Sequence, residues 1–201
     1  DWRRMFDDSL ERAERSYRRK EEDRATLNTL GVGINRKGLA IATGVLAGQR
    51  ILLLFERLTQ PVSTIEHFDD LPIPYRAIAT DLNTGEAAVL DHGNLALAMR
   101  ASMSLPGIFD PAVMNGRVLL DGGLVNQVPI DVVRDMGAEV VIAVDVGTPL
   151  ATLDANASLL AVLGQMTGMM TVGNTRAQLR TLGERDVLVV PELGTEVTSA
   201  D

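Results

Sequence analysis

The sequence predicts one α/β domain built on a mixed sheet, and three observations predict it. Of 201 residues, 46% are hydrophobic and 23% charged, the proportions of a chain that buries a sizeable core. Pro129 to Met136 carries proline in a first helical turn and is closed by Gly137. It leads into Val140 to Val146, a β-branched apolar run typical of a strand buried on both faces. A helix feeding such a strand is half of a βαβ crossover, so part of the sheet is expected to be parallel. The third observation is Asn115-Gly116 between Val113-Met114 and Arg117-Val118, the strongest short-range hairpin signal, which adds an antiparallel part.

The elements follow in order. Trp2, Met5, Phe6, Leu10 and Ala13 recur at helical spacing and predict an amphipathic opening helix. From Glu11 to Arg24 six basic residues stand among five acidic ones, a balance that reads as a solvated face. Gly31 to Gly38 suggests a short strand and turn; Gly31 and Gly33 lack the third glycine of a dinucleotide loop. Gln49 to Leu58 sets Ile51, Leu54, Phe55 and Leu58 on one side of a helix that Pro61 stops. Tyr75 to Leu82 alternates like a strand, Asn83-Thr84-Gly85 turns the chain, and Ala87 to Leu90 pairs back. Asn94 to Met103 reads as a helix ended by Pro106-Gly107. The hairpin strand Val118 to Leu120 then runs directly into Asp121-Gly122-Gly123. A long Met-rich helix over Ser158 to Leu182 and a strand over Val187 to Val190 complete the chain.

Composition removes several functions. Without cysteine there is no disulfide, thiolate metal site or Cys nucleophile. Two histidines, His67 and His92, thin the supply for a Ser-His-Asp triad, and carboxylates are left to carry acid/base work. A net charge of −8 and seven aromatic residues provide neither a phosphate footprint nor stacking platforms, so no nucleic-acid partner is expected. The longest apolar runs fall far short of the roughly 20 residues of a membrane-spanning helix. Asp1-Trp2-Arg3-Arg4 has neither a start Met nor the apolar core of a signal peptide, and the expectation is that the chain begins inside a longer one.

Chemistry concentrates between Ala101 and Val146. Two glycines after Asp121 would let the backbone turn at positive φ and leave the carboxylate unshielded, which suits a general base at a sheet edge. An aspartate that only caps backbone amides in a turn is the commoner use of such a position. Asp81 and Asp145 also end strands, where capping explains them equally well. Met166, Met169 and Met170 read as core filler, with an adaptable wall for acyl chains as the rarer use. His92 lies in a turn without a nucleophile nearby, and the spacing around His67 fits no standard metal site.

The runs Ala101-Ser102-Met103-Ser104-Leu105-Pro106-Gly107-Ile108-Phe109-Asp110-Pro111 and Gly116-Arg117-Val118-Leu119-Leu120-Asp121-Gly122-Gly123-Leu124-Val125-Asn126-Gln127-Val128-Pro129 resemble the second signature of bacterial patatin-like phospholipases. Leu71 to Asp81 looks like the strand before that signature, and Met136 to Val146 like the strand after it. The resemblance implies a three-layer α/β/α sandwich around a mixed, mostly parallel sheet and a Ser-Asp dyad without histidine. Asp121 takes the position of the base, with Gly122 and Gly123 shaping its turn. The implied chemistry is hydrolysis of phospholipid or related lipid esters, with no cofactor, no metal and peripheral membrane contact.

The sequence departs from the family in one respect: neither the Gly-x-Ser-x-Gly elbow nor the glycine-rich oxyanion loop occurs in the 201 residues. In relatives both lie upstream. The expectation is one patatin-like domain over residues 1–201 without its first strands, inactive by itself. Ser102 and Ser104 lack both elbow glycines and are not candidates for the nucleophile. The rival reading is a catalytically silent lipid-binding or scaffold domain of the same fold; a nucleotide-binding domain is disfavoured because no glycine stands at a helix start as a phosphate loop needs. The family's habits leave the compartment open between cytoplasmic or membrane-peripheral and secreted, linked to an outer-membrane barrel.

Overall fold

A computed structural model describes residues 32–35, 38–41, 44–46, 48–147 and 149–191. In order they form β1 (Val32–Asn35), β2 (Gly38–Ile41), β3 (Gly44–Leu46), α1 (Gln49–Thr59), β4 (Ala77–Asp81), β5 (Ala87–Leu90), α2 (Leu95–Ser102), β6 (Gly107–Phe109), β7 (Ala112–Met114), β8 (Arg117–Asp121), α3 (Gly123–Asn126), α4 (Ile130–Asp135), β9 (Ile142–Val144), α5 (Leu159–Leu179) and β10 (Val187–Val189). The α/β class expected from sequence is therefore present. The opening helix and the charge-dense stretch Glu11 to Arg24 lie outside the described residues.

The turns decide the topology. Asn115 and Gly116 both adopt positive φ, 52° and 76°, the conformation that lets a two-residue turn follow the twist of its strands. They join β7 to β8 with Val113 opposite Val118. Gly85, at φ 73°, closes the turn between β4 and β5. β4 and β8 pair next, with Ala79 opposite Asp121, and the resulting four-stranded sheet in the order β5-β4-β8-β7 is antiparallel throughout.

This corrects the mostly parallel sheet expected from sequence. Connections of two residues (β7–β8) and five residues (β4–β5) only reverse a chain, whereas parallel pairing needs a crossover of a dozen residues or more. α4 does lead into β9, but β9 pairs with β10 and not with β8, so the crossover seen there runs through α5. Among the described residues, parallel pairing is confined to β9–β10 and β3–β6.

α2 packs on the four-stranded sheet through small side chains. Asn94 caps its start by accepting the Leu97 amide at 2.9 Å, and Ala98 and Ala101 face Ala77, Ala79, Ala88 and Ala112. Alanines on both sides bring helix and sheet close together, while Phe68, Met114 and Leu119 supply the bulk. β4 is buried along its whole length, more fully than its alternating sequence suggests, because it is a central strand with a neighbour on each edge.

A second cluster joins Val128, Ile130, Val141 and Ala143 to Val133, Ala138, Leu179 and Leu182. Only one face of β9 is covered: Ala143 is 4% exposed and Ile142 69%. The strand expected to be buried on both faces is thus half-buried among the described residues, since α4 and the end of α5 approach it from one side.

Phe68 is fully buried in the first cluster, and its backbone bonds both Asp91 and Tyr75. Phe68→Ala is expected to cost about 3–5 kcal/mol of stability, measured by urea unfolding monitored by circular dichroism.

Candidate functional site

Asp121 is the last residue of β8, where the strand passes into α3. Its amide donates to the Ser104 carbonyl at 3.0 Å, and its own carbonyl accepts the Thr80 hydroxyl at 2.7 Å. The side chain is half-buried, and its Oδ1 accepts the Gly123 amide at 2.7 Å. Burial pushes the carboxyl above its ordinary value, and the Gly123 bond draws it back in part. Both readings of this position thus meet in one residue: the carboxylate caps an amide and is also held in a partly desolvated place, where a carboxylate is a stronger base than in water.

The two glycines work differently from the sequence expectation. Gly122 has φ −69° and ψ −23°, a helical conformation open to any residue, and Gly123 is not among the positive-φ glycines either. What Gly122 needs is the absence of a side chain. A Cβ there would collide with the backbone carbonyl of Ile78 in β4, which has no room to withdraw. At Gly123 a Cβ would meet the side chain of Gln127. The motif is therefore a close-approach device with an amide donor behind it.

Residues that sequence reasoning passed over hold this loop. Asn174, on α5, donates to the Gly123 carbonyl at 2.9 Å and accepts the Gln127 amide at 2.9 Å, bridging the two ends of α3. Gly123 thus bonds the Asp121 carboxylate with its N–H and Asn174 with its C=O. A polar residue within the Met-rich helix was the available signal. Asn126 is buried and donates to Asp131 at 2.8 Å, while its Oδ1 has no hydrogen-bond partner. On the other side, Arg100 is buried and bonds the Ser104 hydroxyl at 2.7 Å and the Asp110 carbonyl at 3.1 Å, with its guanidinium 4.7 Å from the centre of the Phe109 ring.

The remaining singled-out residues separate cleanly. Ser104 is fully buried and engaged with Arg100, and Ser102 contributes its carbonyl to the Gly122 amide at 3.3 Å. Asp81 accepts the Asn83 amide and Asp145 the Gly147 amide, each at 2.9 Å, as turn caps do. Met166, Met169 and Met170 are half exposed, not core filler, because α5 turns Thr175 and Leu179 toward α3 and β9 instead. His67 and His92, 25 positions apart, face each other across an antiparallel bridge. No group of three or more metal-type side chains occurs among the described residues, and no helix among them is long and apolar enough to cross a membrane.

The patatin-like phospholipase family model matches residues 6–134. An uncharacterized NTE family protein of Mycobacterium tuberculosis is 37% identical over 103 residues, 51% of this chain and 28% of that protein. Patatin-like phospholipase domain-containing protein 7 of Mus musculus is 48% identical over 82 residues, 40% of this chain and 6% of that protein. A patatin-like phospholipase domain-containing protein of Caenorhabditis elegans is 50% identical over the same length, again 6% of its own chain. The chain spans less than a third of these relatives.

Raising the carboxyl in the folded state means that ionised Asp121 weighs against folding. Its contribution to stability is present at low pH and is lost as pH rises through the raised folded value. Asp121→Asn keeps an acceptor for Gly123 and removes the charge. Its unfolding midpoint relative to the parent is expected to rise between roughly pH 4 and 7, measured by thermal unfolding across that range.

Proposed function

Because the chain belongs to the patatin-like phospholipase family, we propose that it forms the base-bearing part of a serine hydrolase acting on phospholipid or other lipid esters, with Asp121 as the base. The observation that carries this reading is the carboxylate at the end of β8, fixed by the Gly123 amide and raised by burial. A nucleophilic serine in a Gly-x-Ser-x-Gly elbow and an oxyanion loop come from outside these 201 residues. The complete domain is the three-layer sandwich of the family, over which the described sheets and helices are one part.

In this reading Asp121 accepts the serine hydroxyl proton as the serine oxygen attacks the acyl carbonyl. The proton passes to the departing alcohol, here the lysolipid, leaving the acyl group on serine. Asp121 next takes a proton from water, the resulting hydroxide attacks the acyl-enzyme, and the proton returns to serine as the fatty acid leaves. A single carboxylate serves both halves, and no histidine is required. A second reading is a silent lipid-binding domain of the same fold, in which the whole protein carries no Gly-x-Ser-x-Gly elbow.

In the whole protein that carries this chain, Asp121→Asn is expected to lower kcat/KM for a lysophospholipid about 10²–10⁴-fold. Undiminished turnover would remove Asp121 from the reaction. A fluorophosphonate probe separates the two readings, since it labels an activated serine in a hydrolase and nothing in a silent domain. Asn174→Ala, which frees the Gly123 carbonyl, is expected to lower kcat on the order of tenfold by loosening the base, with KM unchanged and the acidic limb of the pH–rate profile displaced.

A further inference from the structure

The only two histidines of the chain stand side by side. The Gly93 amide donates to the Glu66 carbonyl and the Phe68 amide to the Asp91 carbonyl, both at 2.8 Å, so these bonds bracket the pair His67 and His92. That makes it a non-hydrogen-bonded antiparallel pair, the arrangement in which opposite side chains leave the same face and come closest. The ring centres are 6.1 Å apart and the planes tilted by 41°. We propose that His67 and His92 form a two-imidazole binding site for a divalent transition-metal ion of the zinc, nickel or copper class.

Three features support it. One ion bonded to a nitrogen of each ring at about 2.0–2.1 Å would hold the ring centres on the order of 5–6 Å apart, a small rotamer adjustment from the separation found. The Asp91 carboxylate lies 2.5 Å from Nδ1 of His92. A carboxylate can only accept, so this contact uses Nδ1 as the donor and leaves Nε2 as the nitrogen that faces a ligand. A carboxylate behind a ligating imidazole is the usual partner of a metal-bound histidine. Finally, the surroundings favour a cation: Glu66, Asp69 and Asp70 flank His67, with Arg76 engaged by Asp69 at 2.8 Å.

Both rings reach the surface, and the His92 side chain is 52% exposed, so water completes the coordination shell and the ion exchanges freely. Imidazole pairs select zinc, nickel and copper over magnesium and calcium, which prefer oxygen. The bound ion would fasten the strap at residues 66–68 to the turn at 91–93, beside a cleft of about 470 Å³ that Glu66, Gly93 and Glu56 help to line. The site involves no serine and does not depend on Asp121 being a base.

The test is calorimetric titration of Zn²⁺ into the whole protein without a histidine tag, with thermal unfolding read in parallel. The parent is expected to bind one more equivalent than either His67→Ala or His92→Ala. Zn²⁺ at 100 times the dissociation constant should raise its folded-to-unfolded ratio about 100-fold, a gain that both variants lose. Asp91→Asn should weaken binding about 10-fold or more. Equal stoichiometry and equal thermal shifts in parent and both variants would overturn the proposal and leave the rings as a surface packing pair. Both histidines lie at the surface, so metal-free variants should melt close to the parent, which separates loss of metal from loss of fold.

Discussion

The peptide units of Asp121 and Gly122 are bonded on more than one side, and the arrangement of the neighbouring elements follows from that. The Asp121 amide goes to Ser104, its carbonyl receives Thr80, and the Gly122 amide goes to Ser102. These bonds draw the end of α2 and the strand β4 onto the end of β8. Leaving any one of these groups buried without its partner costs about 1–3 kcal/mol. The contact is tight enough that Gly122 has no space for a methyl group against Ile78. Close approach, not unusual backbone torsion, is what the second position of the motif demands.

Around that junction the molecule uses polar side chains where hydrophobic packing would not fix an orientation. Arg100 crosses the interior from α2 and satisfies the Ser104 hydroxyl and the Asp110 carbonyl, with the Phe109 ring beneath its guanidinium. Gly48, at φ 68°, lies against the same guanidinium, where a side chain would displace it. Asn174 performs the corresponding service from α5. The carboxylate therefore stands between two supports, one reaching it through Ser104 and the other through Gly123. Alanine contacts set the distance between α2 and the sheet, and the polar bonds set the register.

Local signals were the most legible in the sequence. The Asn115-Gly116 hairpin, the helix beginning at Asn94 and the turn at Gly85 act over a few residues, and each appears where the residue types require it. Partnering between distant segments was not legible. Nothing in the run Val140 to Val146 says that its neighbour is β10 and not β8, and its apolar composition overstated its burial. Asp121 stood out by its two glycines and the strand before it, but the reason for the first of them lies 44 positions upstream at Ile78 and for the second at the Gln127 side chain. Asn174 and the facing histidines belong to the same class. Their meaning depends on what the fold brings opposite them, which residue type alone does not encode.

Among the described residues, β9 is covered on one face only. Ile142, Val144, Val187 and Val189 leave a strip of branched apolar side chains exposed on the β9–β10 pair, and such strips favour association. The formal charge of −8 opposes it by making copies repel. That repulsion reaches only about 8 Å at physiological ionic strength and about 3 Å in molar salt. On a surface of this kind, salt removes the repulsion and leaves the contact attraction in place.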